Sequence, residues 1–143
     1  MQTSVDLSQL VSAIGDAVVV CDPDGMITLW NGAAERIFGF TEQEALGKSL
    51  DLIIPQRLQE RHWSGYRNTM QTGQTRYGSQ VLKVPAVRKG GGALSIAFTV
   101  ALLRDAAGAV NGIASVIRDE TERFQEERDL RKRLAALEAR ASA

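Results

Sequence analysis

One imidazole, one thiol and a phenol carry most of what this chain could do beyond pairing charges. His62 is the only histidine among 143 residues, and Cys21 is the only cysteine. A neutral imidazole can bind a metal through a ring nitrogen, and its charge changes near neutral pH. His62 is therefore the side chain that could make a dative bond or sense protons. A single cysteine allows no internal disulfide and no multi-cysteine metal site. Cys21 closes the apolar run AVVVC, where a thiol serves as a small hydrophobe. No Ser/His/Asp or Cys/His arrangement is expected, because the histidine and the cysteine fall in segments that the fold keeps apart. Carboxylates are numerous but lie mostly in the C-terminal segment, so the chain is expected not to be an enzyme.

The element that positions His62 is residues 53–73, IIPQRLQERHWSGYRNTMQTG. A proline suits the start of a helix and Thr72-Gly73 suits its end. Leu58, His62, Tyr66 and Met70 recur every four residues, so one helical stripe carries an apolar group, an imidazole, a phenol and a thioether. The bland alternative for His62 is a histidine on an amphipathic helix, bonded to backbone or water.

Upstream, residues 4–14 place Val5, Leu7, Leu10, Val11 and Ile14 on one side of a short helix. AVVVC and MITLW read as two strands joined by the turn Asp22-Pro23-Asp24-Gly25. Asn31 can cap a helix running to about Phe38, and Thr41 with Glu44 forms a capping box. Downstream, residues 75–87 are extended, with Pro85 marking an edge or bulge. Leu94, Ile96, Phe98, Val100 and Leu102 alternate strictly, so they share one face of a strand, and residues 110–117 form the last strand. Gly90-Gly91-Gly92 joins two strands and is not a phosphate loop. This order predicts an α+β fold, a five-stranded antiparallel sheet with helices on one face.

Seventeen Lys and Arg balance seventeen Asp and Glu, which gives no argument for nucleic acid or for an anionic membrane. No run approaches the ~20 apolar residues of a membrane span, and the N-terminus lacks the pattern of a signal peptide. The expectation is a cytoplasmic protein. From Arg118 onward the composition turns to charge. Leu130, Leu134, Leu137 and Ala141 are spaced 4, 3 and 4, a short heptad seam that points to a dimerising helix. The division expected is an N-terminal amphipathic helix over 1–14, a central domain over 15–118 and a C-terminal signalling or dimerisation helix over 119–143.

Asp22-Pro23-Asp24-Gly25, the strand into Trp30-Asn31, Ala33-Ala34-Glu35, Phe38-Gly39-Phe40-Thr41, Glu44-Ala45-Leu46-Gly47-Lys48 and Arg118-Asp119-Glu120-Thr121 together resemble PAS sensor domains. The resemblance covers about residues 10–121. It implies a sensor or interaction module whose helices form a pocket over the inner sheet face, with Asp119-Glu120-Thr121 linking the sheet to a signalling helix. It further implies a homodimer and, with only about one helix after residue 121, either a signalling partner in trans or a piece of something longer. From Pro55 to Gly91 the chain looks like the haem-binding PAS domains of rhizobial oxygen-sensor kinases. In those domains an Arg-His in this helix supplies the axial ligand of haem iron, and Arg61-His62 falls on that position.

That resemblance implies haem b held by His62, with Tyr66, Leu82, Ile96, Phe98 and Val100 around it and a diatomic gas or redox state as the signal. Arg61, Arg67, Asn68, Arg76 and Lys83 could meet the propionates. The chain departs from the pattern at Leu82, where those sensors place an arginine that hydrogen-bonds oxygen. CO or NO would tolerate so apolar a pocket, and oxygen would lose its donor. Light-sensing flavin relatives need a Gly-x-Asn-Cys motif, and this chain has Gly47-Lys48-Ser49-Leu50 there. Flavin is therefore the less favoured cofactor. The alternative function is a haem-free PAS interaction or dimerisation module, or a sensor of another small ligand.

Overall fold

The computed structural model describes residues 4–75 and 78–142. Helix α1 (Leu7–Ala13) leads into strands β1 (Ala17–Cys21) and β2 (Ile27–Trp30). Short helices α2 (Gly32–Phe38) and α3 (Glu42–Ala45) and a 3-10 turn (Leu50–Ile53) precede the long helix α4 (Gln56–Thr72). Strands β3 (Leu82–Val87), β4 (Ala93–Arg104) and β5 (Val110–Asp119) follow, and α5 (Thr121–Ser142) comes last. The sheet runs β2-β1-β5-β4-β3, all neighbours antiparallel. This is the expected α+β architecture. β3 lies at an edge, where the missing amide of Pro85 costs no ladder bond.

The inner face is set by register. Ala17, Val19 and Cys21 on β1 alternate inward and are buried, and across the ladder they pair with Ile117, Ser115 and Ile113. Phe98 and Val100 on β4 pair with that same Ile117 and Ser115, so they share the face. Leu94 and Ile96 join the buried core with Trp30, Phe38 and Ile53, and Phe98 packs against it. Leu94 and Ile96 thus face inward with Phe98, but burial does not alternate strictly along β4: Ala97 on the other face is also buried, and Val100 and Leu102 are only half-buried.

The terminal signals of the helices are realised. Asn31 caps α2, Thr41 and Glu44 form the capping box of α3, and Gly73 ends α4 in the left-handed region at φ 69°. α1 forms within the expected segment. Of that segment's apolar residues, Val5, Leu7, Leu10 and Ile14 are exposed and Val11 is half-buried.

Candidate functional site

α4 presents the expected stripe to the domain. Leu58, His62 and Met70 are half-buried, and Tyr66 is the helix's one buried residue. Two side chains tie the helix to the β1–β2 turn. The Tyr66 hydroxyl donates to the Asp22 carbonyl. The Trp63 indole lies over Gly25, and its Nε1 donates to Asp51 Oδ1 at 2.6 Å. The turn itself is braced by Asp22, whose Oδ1 accepts from the amides of Asp24 and Met26 at 2.9 and 3.0 Å. At the other end Arg104 donates to the carbonyl of Gly73 at 2.6 Å, placing a cation at the helix C-terminus.

His62 sits between these ties. Its ring meets Trp63 edge-on at 4.5 Å between centroids and Tyr66 at 5.9 Å. Nδ1 is buried and has no hydrogen-bond partner among the described residues. Burial lowers the imidazole pKa below its ordinary value, and the Asp51 carboxylate opposes that in part. The ring is therefore neutral at neutral pH and keeps a lone pair. A buried polar atom left unpaired costs stability unless something else engages it. Burial likewise raises the Tyr66 phenol, which stays protonated and able to donate.

The other expected residues are gathered less tightly. Ile96 and Tyr66 belong to one core cluster, with Phe98, Trp63 and Met70 packed against it. Leu82 pairs with Phe98 across the β3–β4 ladder, so it extends the row Ala17, Ile117, Phe98 to the sheet edge. Leu82 and Val100 are half-buried and stand outside the cluster. The face is not wholly apolar as read from β4 alone. Ser115, between Val19 and Val100, puts a hydroxyl on it, because the inward positions of β5 include this serine. The run VNGIASVI showed the serine, but only the register decides which way it points.

Arg61, Arg67, Asn68 and Lys83 are exposed, and Arg76 lies outside the described residues. Cys21 is buried on the inner face with its thiol pushed up to about 12, so it supplies no reactive thiolate. Two concavities of about 410 and 430 Å³ lie elsewhere. One is between α1 and β2, and the other is between the β3–β4 edge and α5, where Ile96 and Lys83 are the expected residues among the lining. Among the described residues no cluster of three or more His, Cys, Asp or Glu side chains could hold a metal ion, and no helix is long and apolar enough to cross a membrane.

The donor chemistry suits haem: a neutral, buried, unpartnered imidazole nitrogen on a helix beside a largely apolar sheet face. The packing sets a condition. A planar group entering between α4 and the sheet must lift Tyr66 and Met70 out of their contacts. Moving α4 would also break the bonds that Tyr66 and Trp63 make to Asp22 and Asp51.

A family model described as "PAS fold" matches residues 6–119. Among curated proteins, the chain is 32% identical over 118 residues to a protein of Azorhizobium caulinodans, covering 82% of this chain and 16% of that one. It is 39% identical over 66 residues to the sensor protein FixL of Bradyrhizobium diazoefficiens, covering 44% of this chain and 13% of that one. To the oxygen sensor protein DosP of Escherichia coli it is 22% identical over 120 residues, covering 84% and 15%. The chain thus spans at most 16% of the length of these relatives. Among solved structures, the PAS domain of a Colwellia psychrerythraea protein superposes with a TM-score of 0.71 at 20% identity, covering 81% of this chain and 95% of that one.

Proposed function

The chain belongs to the PAS family, and from that premise we propose that it is a sensor domain that holds haem b through His62 and responds to a diatomic gas or to redox state. The observation that carries this reading is the buried, unpartnered Nδ1 of a neutral His62 on the inward stripe of α4. The kinship with a protein named sensor FixL and one named oxygen sensor DosP supports it.

Haem would supply an iron centre that gases can ligate and that can change oxidation state. The chain's own residues would set what that centre meets. His62 offers the donor nitrogen, and the Asp51 carboxylate nearby partly opposes the lowering of its pKa by burial. Tyr66 and Met70 border the same stripe. Leu82, Ile96, Phe98 and Val100 provide apolar surface and exclude water, with Ser115 as the one hydroxyl in the adjacent row. An apolar wall without an arginine at 82 favours CO or NO over oxygen, which depends most on a hydrogen-bond donor.

The test is reconstitution with haem, comparing the purified protein with His62→Ala by visible absorption. The wild type should show a Soret band that the variant loses or shifts. No band in the wild type, or an unchanged spectrum in the variant, leaves the haem-free interaction module. The closed packing of Tyr66 in the core is what favours that second reading.

A further inference from the structure

The inner face of the sheet is covered unevenly. On β1, Ala17, Val19 and Cys21 are no more than 3% exposed, whereas Phe98, Val100 and Leu102 on β4 and Ile113 and Ser115 on β5 are half-buried. Two contacts fix how α4 lies against this surface. Tyr66 is bonded to the Asp22 carbonyl just beyond β1. Gly73 lies against Arg104 and Val110, where β4 ends and β5 begins. The second half of α4 therefore crosses the ends of β1, β5 and β4, and β5 is the middle strand of the three.

From those ends the first inward row across the three strands is Cys21–Ile113–Leu102, and the second is Val19–Ser115–Val100. Ser115 carries the only hydroxyl in either row, and both of its cross-strand neighbours are valines. Among the described residues that hydroxyl has no hydrogen-bond partner. A hydroxyl facing an apolar layer without a partner adds nothing to the fold that a methyl group would not, and it costs stability where water is excluded. Ser115 thus places an unengaged donor where α4 and β1 leave the face least covered.

We propose, resting on the haem reading, that Ser115 is a specificity-determining residue that donates a hydrogen bond to a diatomic ligand held at that site. The half-covered part of the face is where a group bound through His62 finds room, because β1 is already sealed. Leu82 stands on the edge strand, whose ladder reaches Phe98 and stops short of the Ser115 row. The hydroxyl therefore stands in the row nearer α4. Oxygen depends on such a donor and CO does not, so Ser115 offsets part of the disadvantage of oxygen without removing it.

The test compares Ser115→Thr with Ser115→Val in the full chain, two side chains of one shape that differ in the hydroxyl and both suit a strand. After reconstitution with haem, oxygen and CO are titrated separately into each ferrous protein. Ser115→Thr should bind oxygen within about twofold of wild type, and Ser115→Val should bind it about fivefold more weakly, the worth of one ordinary hydrogen bond. For CO the two variants should agree within about twofold, because lost packing would move both gases together. Without haem, Ser115→Val should have a urea midpoint at least as high as Ser115→Thr, since the hydroxyl has no partner in the protein. Equal effects on the two gases, oxygen affinities that agree between the variants, or a lower midpoint for Ser115→Val each overturns the role of Ser115, while a wild-type Soret band leaves the haem reading standing. A wild type with no Soret band overturns both.

Discussion

Trp63 occupies its place because position 25 has no side chain. A Cβ there would fall 2.2 Å from the indole ring, and φ +83° is a region L side chains rarely adopt. The indole cannot swing aside freely, since its Nε1 is bonded to Asp51. Gly25→Ala should therefore destabilise the domain by roughly 2 kcal/mol, read as a lower urea midpoint. In a Trp63→Ala background the clash is gone and only the backbone strain remains, about 1 kcal/mol. Equal costs in the two backgrounds would mean that the indole is not the obstacle. Asp22-Pro23-Asp24-Gly25 was legible as a turn, and the four-residue spacing of His62 and Tyr66 was legible as a stripe. That Trp63 would cover the turn was not, because the contact joins residues 38 apart in sequence and leaves no local pattern.

At the level of elements, the clearest signals were those that a single segment carries. The alternation of β4 and the capping box of α3 are complete within their own residues. Asn31 was legible only as a helix cap, yet it joins three elements. Its Oδ1 accepts from the amides of Val18 and Ala34, and its Nδ2 donates to the carbonyls of Val11 and Asp16. Among the described residues it is the one polar side chain that is buried, at 6% exposure. Nothing local to Asn31 announces the end of α1, which lies 20 residues upstream. Asn31→Asp keeps the two acceptor contacts and replaces the donor with a second acceptor facing two carbonyls. The expected result is that α1 detaches while the sheet stays folded. Hydrogen exchange should show lost protection at the amides of Leu10 and Ile14, which close the helix, with β4 and β5 unchanged. Protection retained at both amides would show that α1 is held by something other than this amide.

Over the whole molecule, the strand order brings the two ends of the domain together. β1 and β5 are neighbours, so Asp16 just before β1 pairs with Arg118 near the end of β5, both bonds 3.2 Å. No run of sequence states that the first strand pairs with the last, because ladder partners such as Ala17 and Ile117 lie too far apart in sequence to leave a local pattern. α5 is rooted at the same place. Thr121 Oγ1 donates to Asp119 and accepts from the amide of Ser95, and beyond that root no residue of the helix is buried. A helix held only at its root adds little to the stability of the domain it leaves. A chain ending at Arg123 keeps Thr121, the sheet and α4, and should unfold within about 0.5 kcal/mol of the full chain. The comparison belongs at low protein concentration, because any association through α5 stabilises the full chain by mass action. A loss of more than about 2 kcal/mol under those conditions would mean that Phe124, 45% exposed at the mouth of its groove, anchors the sheet more than its exposure indicates.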